Sequence, residues 1–208
     1  MKKCLIYIYL LLLTSLCCLQ AGAVSSEIRS LSVSDGLPDL VINTIYKDSK
    51  GYVWMGTNTS VERFDGIRLE HYMVEGSNEN LKRVFALVEM PGNELWVGTG
   101  MGLFRLADDA EKLERLAPEM ITSGVHAFCK LGDVLYVGTE KGLYVYKGGV
   151  FEHVLVDKNI FSRANFVTGM VEGENGILWL STMGGLKSLR LSDQSITSFS
   201  DKLAKNGQ

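Results

Sequence analysis

One six-residue pattern recurs four times along the chain and constrains its fold more than any other feature. The copies are YVWMGT at 52–57, ELWVGT at 94–99, VLYVGT at 134–139 and ILWLST at 177–182. The glycine of the pattern, or the serine that replaces it, falls at Gly56, Gly98, Gly138 and Ser181, so the intervals are 42, 40 and 43 residues. A period of about forty residues is typical of propeller blades or of helical repeats.

The residues around each copy favour strands over helices. A turn cluster rich in Gly, Asp, Asn or Pro precedes each copy, as hairpins require, and no unit contains ten residues of helical periodicity. An apolar pair three residues apart lies before each turn, and a further short strand is expected to close each unit. These pairs are Ile42/Ile45, Val84/Leu87, Val125/Phe128 and Val167/Met170, and the closing strands are 67–73, 113–116, 151–156 and 196–199. Four strands per unit in a meander predict an all-β fold, a β-propeller of four-stranded antiparallel blades.

Alternation along the repeated strand predicts how the blades pack. In the second copy Leu95 and Val97 point to one face of the strand, and Trp96 and Gly98 point to the other. Both faces are apolar, which suits a blade held between two neighbours. The aromatic side chain is expected to fill the gap between blades, and the glycine leaves room for the next blade. The predicted seam residues are Trp54, Gly56, Trp96, Gly98, Tyr136, Gly138, Trp179 and Ser181.

The first 23 residues have the pattern of a signal peptide. Lys2 and Lys3 precede an apolar run, and Ala21-Gly22-Ala23 supplies the small residues of a cleavage site. An uncleaved N-terminal anchor is the alternative, and a lipidated Cys17 or Cys18 is a weaker one. The expected product, residues 24–208, has 19 basic and 24 acidic residues, a net charge of about −5, which argues against a nucleic-acid partner. Cys129 is then the single remaining cysteine, interpreted as a core residue.

The predicted organisation is a signal peptide at 1–23 followed by a partial propeller at 24–208. We place an outer closing strand at 28–33 and the four blades at about 38–73, 81–116, 123–156 and 164–200. The segment 28–33, IRSLSV, reads like the last strand of a blade, yet it precedes the first one. Because the fourth unit already has its own outer strand, we expect a fragment with four of seven blades. A closed four-bladed ring is the competing hypothesis.

Residues 35–57, DGLPDLVINTIYKDSKGYVWMGT, and the later copies resemble the two-component regulator propeller repeat. The second unit lacks the GLP phrase, and Tyr136 and Ser181 depart from the pattern. The resemblance implies a seven-bladed propeller in the periplasmic sensor region of a hybrid histidine kinase of the inner membrane. It also implies an oligosaccharide ligand and a homodimer in the full-length sensor. We expect no cofactor, no metal and no catalytic residue, and membrane attachment only through a missing C-terminal region or an uncleaved N-terminal segment.

Candidate ligand-binding residues come from the loops that lead into the first strand of each blade, where propellers gather ligands. Arg83, His126, Arg163 and Asn165 are the polar members that we expect to contact a sugar. His71 and His153 are interpreted as solvent-exposed residues of the outer strand of their blades, without a binding role. The leading hypothesis is a non-enzymatic extracytoplasmic sensor module; a protein-interaction scaffold and a propeller lyase or hydrolase acting on polysaccharide are the rivals.

Overall fold

The computed structural model describes residues 30–74 and 81–199. The predicted signal peptide at 1–23 lies outside the described residues, as do Ile28 and Arg29 of the predicted closing strand. Contacts divide the chain into a unit of residues 1–31 and a unit of residues 32–208, and the strands of the described residues belong to the second unit. The helical segments of the described residues are two three-residue 3-10 turns, at Val33–Asp35 and Arg163–Asn165, and neither is long enough to cross a membrane.

Sixteen strands in the described residues form four antiparallel sheets of four, each in simple meander order. Blade 1 contains β1 Thr44–Lys47, β2 Val53–Gly56, β3 Val61–Phe64 and β4 Leu69–Tyr72. Blade 2 contains β5 Val84–Met90, β6 Glu94–Thr99, β7 Gly102–Leu106 and β8 Glu114–Arg115. Blade 3 contains β9 Val125–Leu131, β10 Val134–Thr139, β11 Gly142–Lys147 and β12 Val150–Val154. Blade 4 contains β13 Val167–Glu172, β14 Ile177–Thr182, β15 Gly185–Arg190 and β16 Ile196–Ser198.

The first strands of consecutive blades contact one another, β1 with β5, β5 with β9 and β9 with β13, so they lie innermost. Over the described residues the four sheets do not close into a ring. The predicted fold class, an incomplete β-propeller of four-stranded blades, is confirmed. The described part of the segment predicted as a strand at 28–33 does not form one. Ser30–Ser32 are not in a strand, and Val33 begins a 3-10 helix. The Ser32 and Asp35 side chains cap that turn, which gives its backbone local partners in place of a strand ladder.

A threonine turn ends the repeated strand in all four blades, as Thr-x-x-Gly in blades 2 to 4 and as Thr57-Asn-Thr-Ser60 in blade 1. The Thr99 hydroxyl donates to the Gly102 carbonyl at 3.0 Å and accepts from the Met101 amide at 3.0 Å. Gly102 has φ +122°, which favours glycine. The other blades form the same hydroxyl bonds at Thr57, Thr139 and Thr182. The repeated letters therefore fix the turn between the second and third strands.

The hydrophobic core consists of the seams between consecutive blades. Trp54 packs in a cluster with Leu95 and Val97 of blade 2. Trp96 packs with Leu135 and Val137 of blade 3. Tyr136 lies against the cluster of Leu178 and Leu180, which belong to blade 4. In blades 1 to 3 the aromatic side chain of the second strand thus points forward onto the next blade.

The glycines of the repeat allow this close approach. A Cβ on Gly56 would lie 2.5 Å from Val84 Cγ1, and one on Gly98 would lie 2.8 Å from Val125 Cγ1. A Cβ on Gly138 would lie 2.8 Å from Val167 Cγ1. In all three seams the first valine of the next blade occupies the place where a side chain would be. Trp179 and Ser181 of blade 4 have no such neighbour among the described residues; Trp179 packs on Phe199 of its own blade at 5.0 Å.

Candidate functional site

A β-bulge at the start of the inner strand turns one side chain out of the blade in three of the four sheets. The register shifts between Val84 and Ala86 in blade 2, and corresponding shifts flank His126 in blade 3 and Thr168 in blade 4. Phe85, His126 and Thr168 therefore occupy equivalent positions, next to the loops that lead into the inner strands. Bulges often redirect a side chain beside a functional site.

Two of these bulge residues, Phe85 and His126, form a continuous row with two residues that directly precede the inner strands. This row is here called the aromatic strip: Arg83, Phe85, His126 and Phe166. The Arg83 guanidinium lies 5.4 Å from the Phe85 ring centroid. The Phe85 and His126 rings are 4.1 Å apart, and the His126 and Phe166 rings are 4.8 Å apart. The His126 imidazole is thus held between two phenyl rings.

A carboxylate lies beside His126, in the interior of the aromatic strip. Glu140 Oε1 lies 3.2 Å from His126 Nε2. Gly124 makes room for this pair, because a Cβ there would lie 2.8 Å from Glu140 Oε1 and 3.1 Å from His126 Nε2. The His126 side chain is 12% exposed, whereas that of Glu140 is 42% exposed, so the carboxylate remains available to a ligand.

A chain of polar groups anchors the Arg83 end of the aromatic strip, where blades 1 and 2 meet. Arg83 Nε donates to Asn43 Oδ1 at 3.0 Å, and Asn43 Nδ2 donates to Asn58 Oδ1 at 3.1 Å. Asn58 Nδ2 in turn donates to Asp39 Oδ2 at 2.8 Å. The Val41 backbone amide, followed by smaller contributions that include Asn58, lowers the pKa of the Asp39 carboxyl, which favours the charged acceptor.

The Arg83 backbone is held in an uncommon conformation. Its φ is +75°, and Lys82 before it has φ +50°, in the left-handed region that L side chains rarely adopt. The Arg83 amide donates to the Asn58 carbonyl at 2.8 Å, and its carbonyl accepts from the Gly100 amide at 3.0 Å. Backbone held this way by its surroundings is found preferentially at binding sites. The seam between blades 1 and 2 therefore fixes the direction of the Arg83 side chain.

The structure brings two of the four predicted ligand-binding residues together and places the other two elsewhere. Arg83 and His126 belong to the same aromatic strip, and Arg163 is exposed on the 3-10 turn that precedes Phe166. Asn165 is 2% exposed, and its carboxamide bonds to the Asp157 amide and to the Asp157 and Asn159 carbonyls. It shapes the loop between blades 3 and 4 through these bonds, and its role as a sugar contact stays a prediction.

Phe85, Phe166 and Glu140 were missed at the sequence level. Phe85 could have been found by aligning the units on the valine of each apolar pair, because Phe85, His126 and Thr168 each follow that valine. Phe166 precedes its valine and carries no such signal. Within residues 30–74 and 81–199, no group of three His, Cys, Asp or Glu side chains is placed to hold a metal ion.

The titratable clusters elsewhere in the described residues have structural partners. Glu62 is fully buried; its Oε1 accepts from Ser60 Oγ at 2.7 Å and lies 2.9 Å from His71 Nδ1. His153 Nε2 lies 2.9 Å from the Lys141 carbonyl. Burial, with the Glu70 hydrogen bond second, raises the pKa of Tyr72 to about 12. These contacts lie within blades 1 and 3.

Comparison with known proteins identifies the repeat. Residues 36–59 match the model of the family described as two component regulator propeller. No curated protein is detectably similar in sequence. Among solved structures, the extracellular domain of one putative hybrid two component system from B. thetaiotaomicron has a TM-score of 0.65 at 22% identity, covering 77% of this chain and 22% of that one.

The extracellular domain of a second such system from B. thetaiotaomicron has a TM-score of 0.69 at 22% identity, covering 82% of this chain and 26% of that one. A streptogramin B lyase has a TM-score of 0.58 at 13% identity, covering 78% of this chain and 55% of that one. The chain thus spans about a quarter of the length of the extracellular domains that it resembles. At these identities the likeness shows the fold alone, a β-propeller.

Proposed function

Because residues 36–59 are a two component regulator propeller repeat, we propose that the chain is a ligand-sensing module of an extracytoplasmic two-component sensor. The observation that carries the proposal is the aromatic strip, which joins three blades at the loops leading into the inner strands. A ligand on this strip contacts several blades at once, so its binding reports on their relative placement. Kinase coupling and membrane attachment belong to this proposal as properties of a longer sensor.

The chemistry of the strip suits a short oligosaccharide. Aromatic rings offer flat apolar faces to the C–H groups of a sugar ring, and a few convergent polar groups fix its orientation. The guanidinium of Arg83 supplies donors, and the Glu140 carboxylate supplies acceptors, for hydroxyl groups. Arg83 lies at one end of the row, and Glu140 lies beside His126, which is flanked by Phe85 and Phe166. We propose a glycan of a few residues lying along this row.

The N-terminal sequence pattern and the similar structures support an extracytoplasmic location for this module. The N-terminal residues have the sequence pattern of a signal peptide, and the similar solved structures are extracellular domains. We therefore propose a periplasmic location, reached by cleavage after residue 23. Mass spectrometry of the protein purified from a periplasmic extract tests this, since an intact N-terminus there would contradict it.

Calorimetric titration of the chain with short neutral and acidic oligosaccharides tests the ligand proposal. We expect saturable binding by a subset of them, weakened at least about tenfold in Phe85→Ala. Phe161→Ala is the matched control, because Phe161 is 88% exposed in the loop between blades 3 and 4 and has no ring contact in the described residues. Equal affinities of the two variants, or no binding at all, would contradict the proposal; release of shortened products would favour an enzyme.

A further inference from the structure

The terminal nitrogens of the Arg83 guanidinium are available to a ligand. The Nε atom donates to Asn43 Oδ1 at 3.0 Å, and this is the one hydrogen bond of the guanidinium within the described residues. Nη1 and Nη2 therefore keep all their N–H donors. Arg83 is exposed, and no carboxylate of the described residues forms an ion pair with it. The Arg83 end of the aromatic strip thus presents a positive charge that is not neutralised.

Contacts on three sides fix the direction in which the guanidinium points. Asn43, which holds Nε, is itself held by Asn58 at 3.1 Å. The Phe85 ring centroid lies 5.4 Å from the guanidinium carbon. The Asn58 carbonyl accepts from the Arg83 amide at 2.8 Å and keeps its backbone at φ +75°. Because a long side chain loses rotamer freedom when it binds, a guanidinium that is ordered in advance costs less to bind.

Arg83 differs in its charge partners from two arginines on the third strands of the blades. Arg63 of β3 donates to the Glu70 carboxylate, and Arg105 of β7 donates to the Glu114 carboxylate. Carboxylates of the same blade therefore neutralise these two charges. The Arg83 side chain has a neutral carboxamide as its hydrogen-bond partner instead. Anchoring of the loop thus accounts for the Nε group of Arg83 but not for its charge.

We propose, on the basis of the glycan binding proposed above, that Arg83 recognises an anionic group of the glycan. This group is the carboxylate of a uronic acid or a sulfate ester, since both present oxygen atoms in pairs. The planar guanidinium offers parallel N–H groups that match such a pair, and charged hydrogen bonds of this kind are stronger than neutral ones. Because Nε is occupied by Asn43, the anion binds end-on at Nη1 and Nη2.

Glu140 restricts the anion to the Arg83 end of the aromatic strip. Its carboxylate is 42% exposed beside His126, and Phe85 lies between His126 and Arg83. A second anionic sugar unit at Glu140 would meet a like charge, which is costly, whereas a neutral unit would donate a hydroxyl group to the carboxylate. The glycan therefore has an anionic unit at Arg83 followed by a neutral unit at Glu140.

Calorimetric titration with matched disaccharides tests this recognition. Each disaccharide of one uronate and one neutral sugar is compared with its counterpart in which the carboxylate is reduced to a hydroxymethyl group. A third member of each set is this reduced counterpart carrying a sulfate ester, so the preferred anion identifies the source of the charge. We expect the anionic members that bind to do so at least about tenfold more tightly than their neutral counterparts. Equal affinities would overturn the inference and leave the glycan proposal standing, whereas no binding by any member would contradict both.

Variants of Arg83 test whether this residue carries the preference for an anion. In Arg83→Gln we expect the preference to fall below about threefold, because the charge is gone. Arg83→Lys keeps the charge but replaces the planar group by a single ammonium, so it should keep part of the preference. Phe161→Ala, at an exposed residue outside the aromatic strip, is the control and should keep all of it. Thermal unfolding like that of the wild type shows that the variants are folded, and a full preference in Arg83→Gln would overturn the proposal.

Discussion

Single residues show how the four copies of the repeat differ. The Trp54 indole N–H donates to the Asp48 carboxylate at 2.7 Å, and Asp48 also accepts from the Tyr52 amide at 2.8 Å. The Trp96 indole N–H is buried and has no hydrogen-bond partner among the described residues. Met90 stands six positions before Trp96, where Asp48 stands before Trp54. The first seam therefore has a polar lock that the second lacks.

Asp48→Ala is expected to lower the free energy of unfolding by about 1–3 kcal/mol, because it leaves the largely buried Trp54 N–H without an acceptor. Urea unfolding followed by tryptophan fluorescence measures this loss. Asp133→Ala is the control, since Asp133 belongs to the corresponding turn of blade 3 and makes only an exposed contact with Lys147 at 3.6 Å. Losses of equal size would show that the indole bond does not stabilise the blade.

At the scale of the element, the aromatic residue of the second strand contributes differently to stability in the seam between two blades and in blade 4. Trp96 is 2% exposed between blades 2 and 3, and it packs on Tyr146 and Phe151 of blade 3 at 4.7 and 5.8 Å. Trp179 has the same position in blade 4 and contacts Phe199 of its own blade. Trp96 therefore stabilises the packing of blade 2 on blade 3, whereas Trp179 stabilises blade 4 alone.

Trp96→Ala should therefore cost about 3–5 kcal/mol of unfolding free energy, the range for a buried aromatic side chain. Trp179→Ala should cost about 1 kcal/mol, the usual effect of a substitution away from a filled core. Chemical denaturation of both variants makes the comparison. A Trp179 loss as large as that of Trp96 would contradict the difference between the two positions.

The strands were predictable because their signals are local. The turn clusters and the repeated strand are contiguous in sequence, and the Thr-x-x-Gly turn depends on one hydroxyl and the neighbouring backbone. The segment 28–33 was predicted wrongly for its described part, because alternation alone supplies no strand partner. A strand needs a neighbour to pair with, and Ser32 and Asp35 offered the backbone a local alternative.

The candidate site was only partly predictable because it is assembled from three blades. Arg83 and His126 could be chosen by their loops, but the ring contacts of Phe85 and Phe166 depend on the bulges and on how far each blade turns from the last. Asn165 is a polar residue of the type that binds ligands, yet its carboxamide forms three hydrogen bonds within its own loop. No sequence pattern distinguishes these two uses of an asparagine.

At the scale of the whole molecule, the described residues form an array in which the main contacts of each blade are with the blades next to it. The stability of such an array is a sum over units and the contacts between them. The aromatic strip crosses two of those contacts, from Phe85 in blade 2 to His126 in blade 3 and Phe166 before blade 4. Packing in the seams and geometry of the strip are therefore linked, since a shifted blade moves one ring away from the next.

A double-mutant cycle across the third seam tests most directly whether consecutive repeats stack through the glycine of one and the valine of the next. A Cβ on Gly138 would lie 2.8 Å from Val167 Cγ1 and 3.4 Å from Met170 Cε, so Gly138→Ala overpacks the seam, whereas Val167→Ala empties it. Each single change should cost about 1–3 kcal/mol of unfolding free energy. In the double variant the new methyl group fills the vacated space, so the combined loss should fall short of the sum by about 1 kcal/mol or more. Strict additivity of the two losses would mean that the residues do not meet, and the stacked arrangement would be wrong.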